Sequence, residues 1–266
     1  MTIMRLLGGV AVAILLQACA SAPRVERPET SALPVEWVKD EDATQVRRLA
    51  DRKALADVET LGLPTIEIAS GAVDSRISAA QSDLVVNRAA RDICNGLAPY
   101  FRLNPDAAEA MVRLRILAIQ PTSAGTAGLS EVVGFFVPGP FRIPAGLGGL
   151  AIDGELHRAG QPIVLLQWSQ GANPLTEGAR VSSIGDAYQL AGDFADDFVA
   201  AVIATPDDAQ RRRARQAEAI VNANKSLCRT EFGKANVAVA GASLLIGLPP
   251  EAMDQGAPAR EEAPAE

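Results

Sequence analysis

The chain has a single histidine, His157, and three cysteines, Cys19, Cys94 and Cys228. So small a supply of imidazole and thiolate argues against most zinc sites, which draw their ligands chiefly from these two residue types. Basic excess is missing as well: 32 Asp and Glu stand against 25 Lys and Arg, for a formal net charge of −7. A nucleic-acid-binding surface has to neutralise phosphates, so an acidic chain is a poor candidate for one. No G-x-S-x-G turn marks a hydrolase nucleophile, and no internal repeat is present. Beyond the N-terminus no run reaches the length of a membrane-spanning helix, about 20 apolar residues. What is there in quantity is apolar side chain, 48% of 266 residues. That suffices for a real core, and the length suits one domain with tails.

The N-terminus has the parts of an export signal. Arg5 is the only charge before Arg24, and Leu6 to Leu16 is apolar throughout. Such a core is long enough for a signal and too short to cross a bilayer. It ends in Leu16-Gln17-Ala18-Cys19, which resembles the lipobox of bacterial lipoproteins. The resemblance implies that residues 1–18 are a signal peptide and that Cys19 becomes a lipid-carrying N-terminus, with palmitate among its acyl chains. Each buried methylene contributes ~0.8 kcal/mol, so several chains anchor firmly where one holds weakly. Ala20, where an Asp would retain such a protein at the inner membrane, implies the cell outer membrane and a domain facing the periplasm. In that oxidising compartment the remaining pair, Cys94 and Cys228, is expected to form a disulfide.

Organisation follows composition. Residues 19–40 hold the lipidated cysteine and a flexible tether marked by Pro23, Pro28 and Pro34. A single domain is expected over 41–232. Residues 233–266 comprise an apolar segment, Val237 to Leu248, and an acidic, proline-rich disordered tail. The apolar segment is compatible with an edge strand, a docked tail or a membrane-facing stretch.

Within the domain, Asp42 to Ala56 suggests a short helix, Pro64 to Ala69 alternates as a strand, and about Ser75 to Phe101 has helical spacing. A second strand surrounds Met111 to Leu117. After a proline- and glycine-rich loop, Pro121 to Gly149, Leu150–His157 and Gln161–Trp168 read as a hairpin. A polar loop then leads to a helix over about 184–204. Pro206-Asp207-Asp208 opens another helix running to about Cys228. The expected fold is α+β: a mixed sheet of about four strands with helices packed on it, in the order strand-helix-strand-hairpin-helix-helix.

Few motifs suggest chemistry. Gly146-Leu147-Gly148-Gly149-Leu150-Ala151 fits G-x-G-x-x-A. A dinucleotide site needs a strand before this pattern and a helix after it, whereas here a loop precedes and a strand follows. His157 shares a strand face with Asp153 and Glu155. This set could serve proton transfer or bind a metal, but an alternating outer strand face is the ordinary explanation. Asp186, Asp193, Asp196 and Asp197 fall off the apolar stripe of their helix and read as a solvated face. Arg211, Arg212, Arg213 and Arg215 read the same way, with Asp207 and Asp208 placed for i,i+4 pairs. The loop Val132 to Phe141 places Phe135, Phe136 and Phe141 together, three of the seven phenylalanines. Such a loop is compatible with folding back to cover the sheet, with a ligand lid, or with partner contact, which exposed apolar surface marks; on the last reading these three are the candidate partner-binding residues. No residue is assigned as catalytic, and no metal ligand or cofactor site is assigned.

The lipobox, Leu63-Pro64-Thr65-Ile66-Glu67-Ile68, the Pro/Gly-rich loop, Ala151-Ile152-Asp153-Gly154-Glu155-Leu156 and Ile184-Gly185-Asp186-Ala187 together resemble one family. These are bacterial lipoproteins of domain-of-unknown-function family 3313, and the resemblance covers residues 50–205. It implies a small α/β envelope lipoprotein without known cofactor, and it carries over no catalytic residue. The expected role is non-enzymatic, namely binding an envelope protein partner or self-association. The alternative is a small-molecule or lipid binder with a pocket between helices and sheet. Membrane attachment is expected through lipid on Cys19, and nucleic acid is not an expected partner.

Overall fold

The computed structural model describes residues 22–27, 35–41, 43–122, 147–172, 182–203, 205–235 and 249–258. In chain order the elements are β1 (Glu36–Glu41), β2 (Thr44–Ala50), α1 (Arg52–Ala56), β3 (Thr60–Leu61), β4 (Thr65–Ile68), α2 (Ala79–Leu97), β5 (Arg102–Leu103), β6 (Ala110–Gln120), β7 (Gly149–Arg158), β8 (Gln161–Gly171), α3 (Gly185–Ile203), α4 (Pro206–Arg215), α5 (Glu218–Phe232) and α6 (Pro250–Met253). The strands form one sheet ordered β1-β2-β8-β7-β6-β3-β5, with β4 also paired to β6. Pairing is antiparallel from β1 through β6 and parallel where β3 and β4 meet β6.

The expectation of about four strands in the order strand-helix-strand-hairpin-helix-helix is therefore corrected. Among the described residues there are eight strands and six helices. The four added strands have identifiable reasons for being missed. β3 and β5 are two residues each, too short to show a period. β1 is exposed at every position, so it has no buried face to alternate. It also lies within the stretch expected as tether. β2 stands where a short helix was expected. Its pairing with β8, Val46 opposite Trp168 and Ala50 opposite Val164, decides the conformation, because tertiary partners override local propensity. Only Arg52–Ala56 of that stretch is helical, capped by the Asp51 carboxylate, which accepts from the Lys53 and Ala54 N–H groups.

Alternation along β6, β7 and β8 sorts side chains to two faces. Register aligns Leu114, Gly154 and Leu166, and likewise Ile116, Ile152 and Trp168. This face meets α2 and α3 and forms the core with Val85, Ala89, Ile93, Phe194 and Phe198. Gly154 is required there, since a Cβ would lie 2.6 Å from the Phe198 ring and 2.9 Å from Phe194. Trp168 meets the Phe194 ring edge-on at 6.0 Å. The β7–β8 hairpin closes through Ala159 and Gly160, both at positive φ, the geometry a two-residue turn demands.

α2 begins with a reciprocal capping box between Ser78 and Gln81. Cys94 of α2 and Cys228 of α5 are joined by a disulfide, with Cα atoms 5.7 Å apart. No helix among the described residues is long and apolar enough to cross a membrane.

Candidate functional site

The face of the sheet turned away from α2 and α3 is polar. Cross-strand register sets Glu67, Arg115, Asp153, Gln167, Arg47 and Trp37 in one row. Arg115 pairs with Glu67 at 3.3 Å, and the Arg47 guanidinium lies 5.1 Å from the Trp37 ring centroid. A short N-terminal strap, residues 22–27, crosses this face. Ser169 Oγ donates to the Pro23 carbonyl at 2.8 Å. Arg27 Nε donates to Asp153 Oδ1 at 2.8 Å, and its Nη2 donates to the Trp168 carbonyl at 3.1 Å. Residues 22–27 were expected in the flexible tether. Arg27 draws them onto the sheet because Asp153 is a largely buried carboxylate with no other cation so close among the described residues.

The three candidates on β7 thus share the outer face, each with a local partner. Burial pushes the Asp153 carboxyl up from its ordinary value, Arg27 opposes this, and nearby Glu155 adds to the rise. Glu155 bonds His157 Nε2. His157 Nδ1 is buried without a partner, and among the described residues no hydroxyl or thiol bonds the ring. Beside the row is a cleft of about 440 Å³ lined by Thr65, Glu67, Arg113, Arg115, Asp153 and Glu155. Among the described residues no three His, Cys, Asp or Glu side chains converge as a metal site.

A second cluster lies at one end of the sheet, around Asp186. The sequence put Asp186 on a solvated helix face, but it is fully buried. Its Oδ2 accepts from Gly148 N–H at 2.8 Å, and its own N–H donates to Thr122 Oγ1 at 3.2 Å. Thr122 N–H donates to the Ser183 carbonyl at 2.7 Å, and Ala172 N–H to Gly148 at 2.9 Å. A Cβ on Gly149 would lie 3.0 Å from the Pro23 ring. One knot therefore gathers the strap, the described ends of the Pro/Gly-rich loop at Thr122 and Leu147, and those of the later polar loop at Ala172 and Ser182. The glycines of the G-x-G-x-x-A motif that the structure describes enter β7 directly, so no helix follows to receive a phosphate. Cys19, Phe135, Phe136, Phe141, Gly146 and residues 237–248 lie outside the described residues. Cys94 and Cys228 are buried structural partners.

The helix side has its own latch. Residues 249–258, expected in the disordered tail, pack on α2 through Asp254. Arg91 donates to both Asp254 oxygens, at 3.0 and 2.6 Å, and to the Phe232 carbonyl at 3.3 Å. Tyr188 Oη donates to Asp254 Oδ2 at 2.5 Å, and Gly256 N–H to Oδ1 at 2.9 Å. Burial would raise the Asp254 carboxyl, but the hydrogen bonds from Arg91 and Tyr188 outweigh it and hold the group below its ordinary value. Next to the latch is a groove of about 800 Å³ walled by Ile66, Leu84, Asn87, Phe232, Glu251 and Pro258. The sequence did contain a signal for Arg91, a charge on the helical step that ends at Cys94. Asp254 gave none.

Comparison with known proteins gives a family. A family model described as "Protein of unknown function (DUF3313)" matches residues 36–198. No curated protein matches the chain. Two similar solved structures are PelC dodecamers from Paraburkholderia phytofirmans, one of a point variant in space group C2 and one in P6. The first is 11% identical with a TM-score of 0.36 and covers 60% of this chain and 96% of that one. The second is 11% identical with a TM-score of 0.36 and covers 61% and 99%. The family match spans more than half of the sequence, and the chain belongs to the DUF3313 family of proteins of unknown function.

Proposed function

We propose that the chain is a lipid-anchored lipoprotein of the cell envelope, held in the outer membrane by lipid on Cys19 and facing the periplasm. Its role is non-enzymatic. It binds an envelope protein partner, or a second copy of itself, through Phe135, Phe136 and Phe141.

The observation that supports this reading is the knot at the end of the sheet. The strap begins at Ala22, three residues after Cys19 in the sequence, and Pro23 packs on Gly149. The loop carrying the three phenylalanines leaves and re-enters the fold at Thr122 and Leu147, beside that contact. Anchor and aromatic loop thus depart from the same end of the domain. Crosslinking of the lipidated protein in its own membranes, read by mass spectrometry, tests the reading. A recurrent envelope partner or self-crosslink at Val132–Phe141 is expected. It should be lost in an F135S/F136S/F141S variant whose thermal melt is unchanged. Unaltered association in that variant removes the proposal.

The alternative, a small-molecule or lipid binder, is favoured by the groove beside the C-terminal latch. Its volume of about 800 Å³ is in the range of ligand pockets. Glu251 on its wall accepts from Ser182 Oγ at 2.9 Å, which connects it to the loop-bearing end. A ligand retained in native mass spectra would favour this reading over the first.

A further inference from the structure

α4 has no buried residue, yet it is fastened to the body, and the fastening is by arginine. Arg212 donates to the carbonyls of Val58 and Leu55, both at 2.7 Å. Its guanidinium lies 4.4 Å from the Phe101 ring centroid. Arg213 lies 5.6 Å from the Tyr100 ring centroid, and Arg211 pairs with Asp208. The basic run expected to be a solvated face is thus divided, with Arg212 serving as a rivet.

Arg215 remains. It faces Arg102 of β5 across a crevice of about 120 Å³, whose walls also include Glu59, Thr60, Tyr100 and Arg212. Neither Arg102 nor Arg215 has a side-chain hydrogen bond or an ion pair among the described residues. Glu59 is the only carboxylate on the wall among those residues. Nearby Glu109 is already engaged, accepting from the Glu59 and Thr60 N–H groups at 2.7 and 3.2 Å. Burial, together with Arg215 and Arg211, lowers the pKa of Arg212, while Asp208 and Glu59 oppose this. The crevice therefore gathers three guanidiniums against one carboxylate in a chain that is acidic as a whole.

We propose that this crevice binds a phosphate group, with Arg102 and Arg215 reaching the anion and Arg212 as the fixed floor. Guanidinium presents a planar fork of donors that matches oxyanions two bonds at a time. The surplus of two positive charges suits a phosphate monoester, which carries about −1.5 to −2 at neutral pH. The phosphate comes either from a soluble ester or from a phospholipid headgroup.

Calorimetric titration of the full chain with inorganic phosphate, and separately with dihexanoyl phosphatidic acid, a lipid phosphate monoester, below its micelle concentration, tests the site and its source. Saturable binding is expected. It should weaken about tenfold or more in an R102Q/R215Q variant, since hydrogen bonds to charged groups are the strong ones. Both residues are exposed, so the variant should fold. R113Q/R115Q, which removes two exposed arginines from the sheet's outer face, should bind like the wild type. Binding of phosphate alone assigns the site to soluble esters, and binding of the lipid as well assigns it to headgroups. Absence of saturable binding by both probes, or equal binding by R102Q/R215Q, overturns the proposal.

Discussion

Two arginine–aspartate pairs fasten the two terminal segments to opposite faces of one sheet-and-helix body. On the outer face Arg27 of the strap meets Asp153, and on the helix side Arg91 meets Asp254 of the tail segment. Their chemistry is alike and their titration is opposite. Asp254 accepts from both Arg91 nitrogens, from Tyr188 and from Gly256, and its carboxyl is held down. Asp153 accepts one bond from Arg27 and has Glu155 nearby, and its carboxyl is pushed up. Burial acts against the charge at both. The number of donors decides whether it is overcome. The socket that receives the tail is braced covalently, because Cys94 of α2 lies three residues from Arg91 and Cys228 of α5 four from Phe232.

The largest effect should come from breaking the donor-rich pair. Asp254→Asn leaves the buried Arg91 guanidinium with only the more distant Asp92, at 3.9 Å, as counter-charge and should cost about 3 kcal/mol in urea unfolding. A loss below about 1 kcal/mol would mean that the tail is not part of the cooperative unit. Removing the brace with Cys94→Ser and Cys228→Ser should cost about 2–5 kcal/mol on the same assay. On the outer face Arg27→Ala removes the bond to Asp153 and the one to the Trp168 carbonyl and should cost less, about 2 kcal/mol, because Asp153 keeps more exposure than Asp254. If the two faces cost the same, the donor-number argument fails.

Acid should separate the pairs by sign. Asp254, depressed in the fold, contributes stability above the ordinary carboxylate value of 3.8 that is lost as pH falls through its lower folded value. Asp153, raised in the fold, takes its proton above 3.8. For that group alone the folded state gains relative stability as pH falls through the raised value. Carboxyl carbon shifts followed by NMR should show Asp153 titrating well before Asp254; the reverse order would remove the comparison. The smallest expected effect is that of Glu155→Gln, which should move the Asp153 titration slightly downward and leave Asp254 unmoved.

What the sequence revealed, and what it hid, divides along physical lines. Long periodic segments were legible: α2 and α3 lie where the 3.6-residue spacing of Ile77, Leu84 and Cys94, and of Tyr188, Phe194 and Phe198, put them. Cys94 and Cys228 were legible by arithmetic on three cysteines. β2 was not, because Thr44–Ala50 is a strand only by virtue of β8 beside it. Asp186 was not, because nothing local distinguishes it from Asp193, which stands exposed on the same helix. Burial of Asp186 is conferred by Thr122 and Gly148, remote in sequence. The strap and the tail latch both look like linkers by composition. Each is held by one charged residue whose partner lies more than 120 positions away.

The strap has a mechanical consequence. On the proposed anchor, any pull between membrane and domain enters the fold through residues 22–27. The first links to bear the load are those of Pro23 to Ser169 and Arg27 to Asp153, ahead of the buried aromatic layer. They are few, so they should yield one after another before the core does. Residues 22–27, drawn out at about 3.4 Å each, would then add roughly 20 Å of reach to a domain anchored in this way. If the proposed anchor holds, the docked strap is a short coupling and the peeled strap is slack that extends the domain's reach without unfolding it.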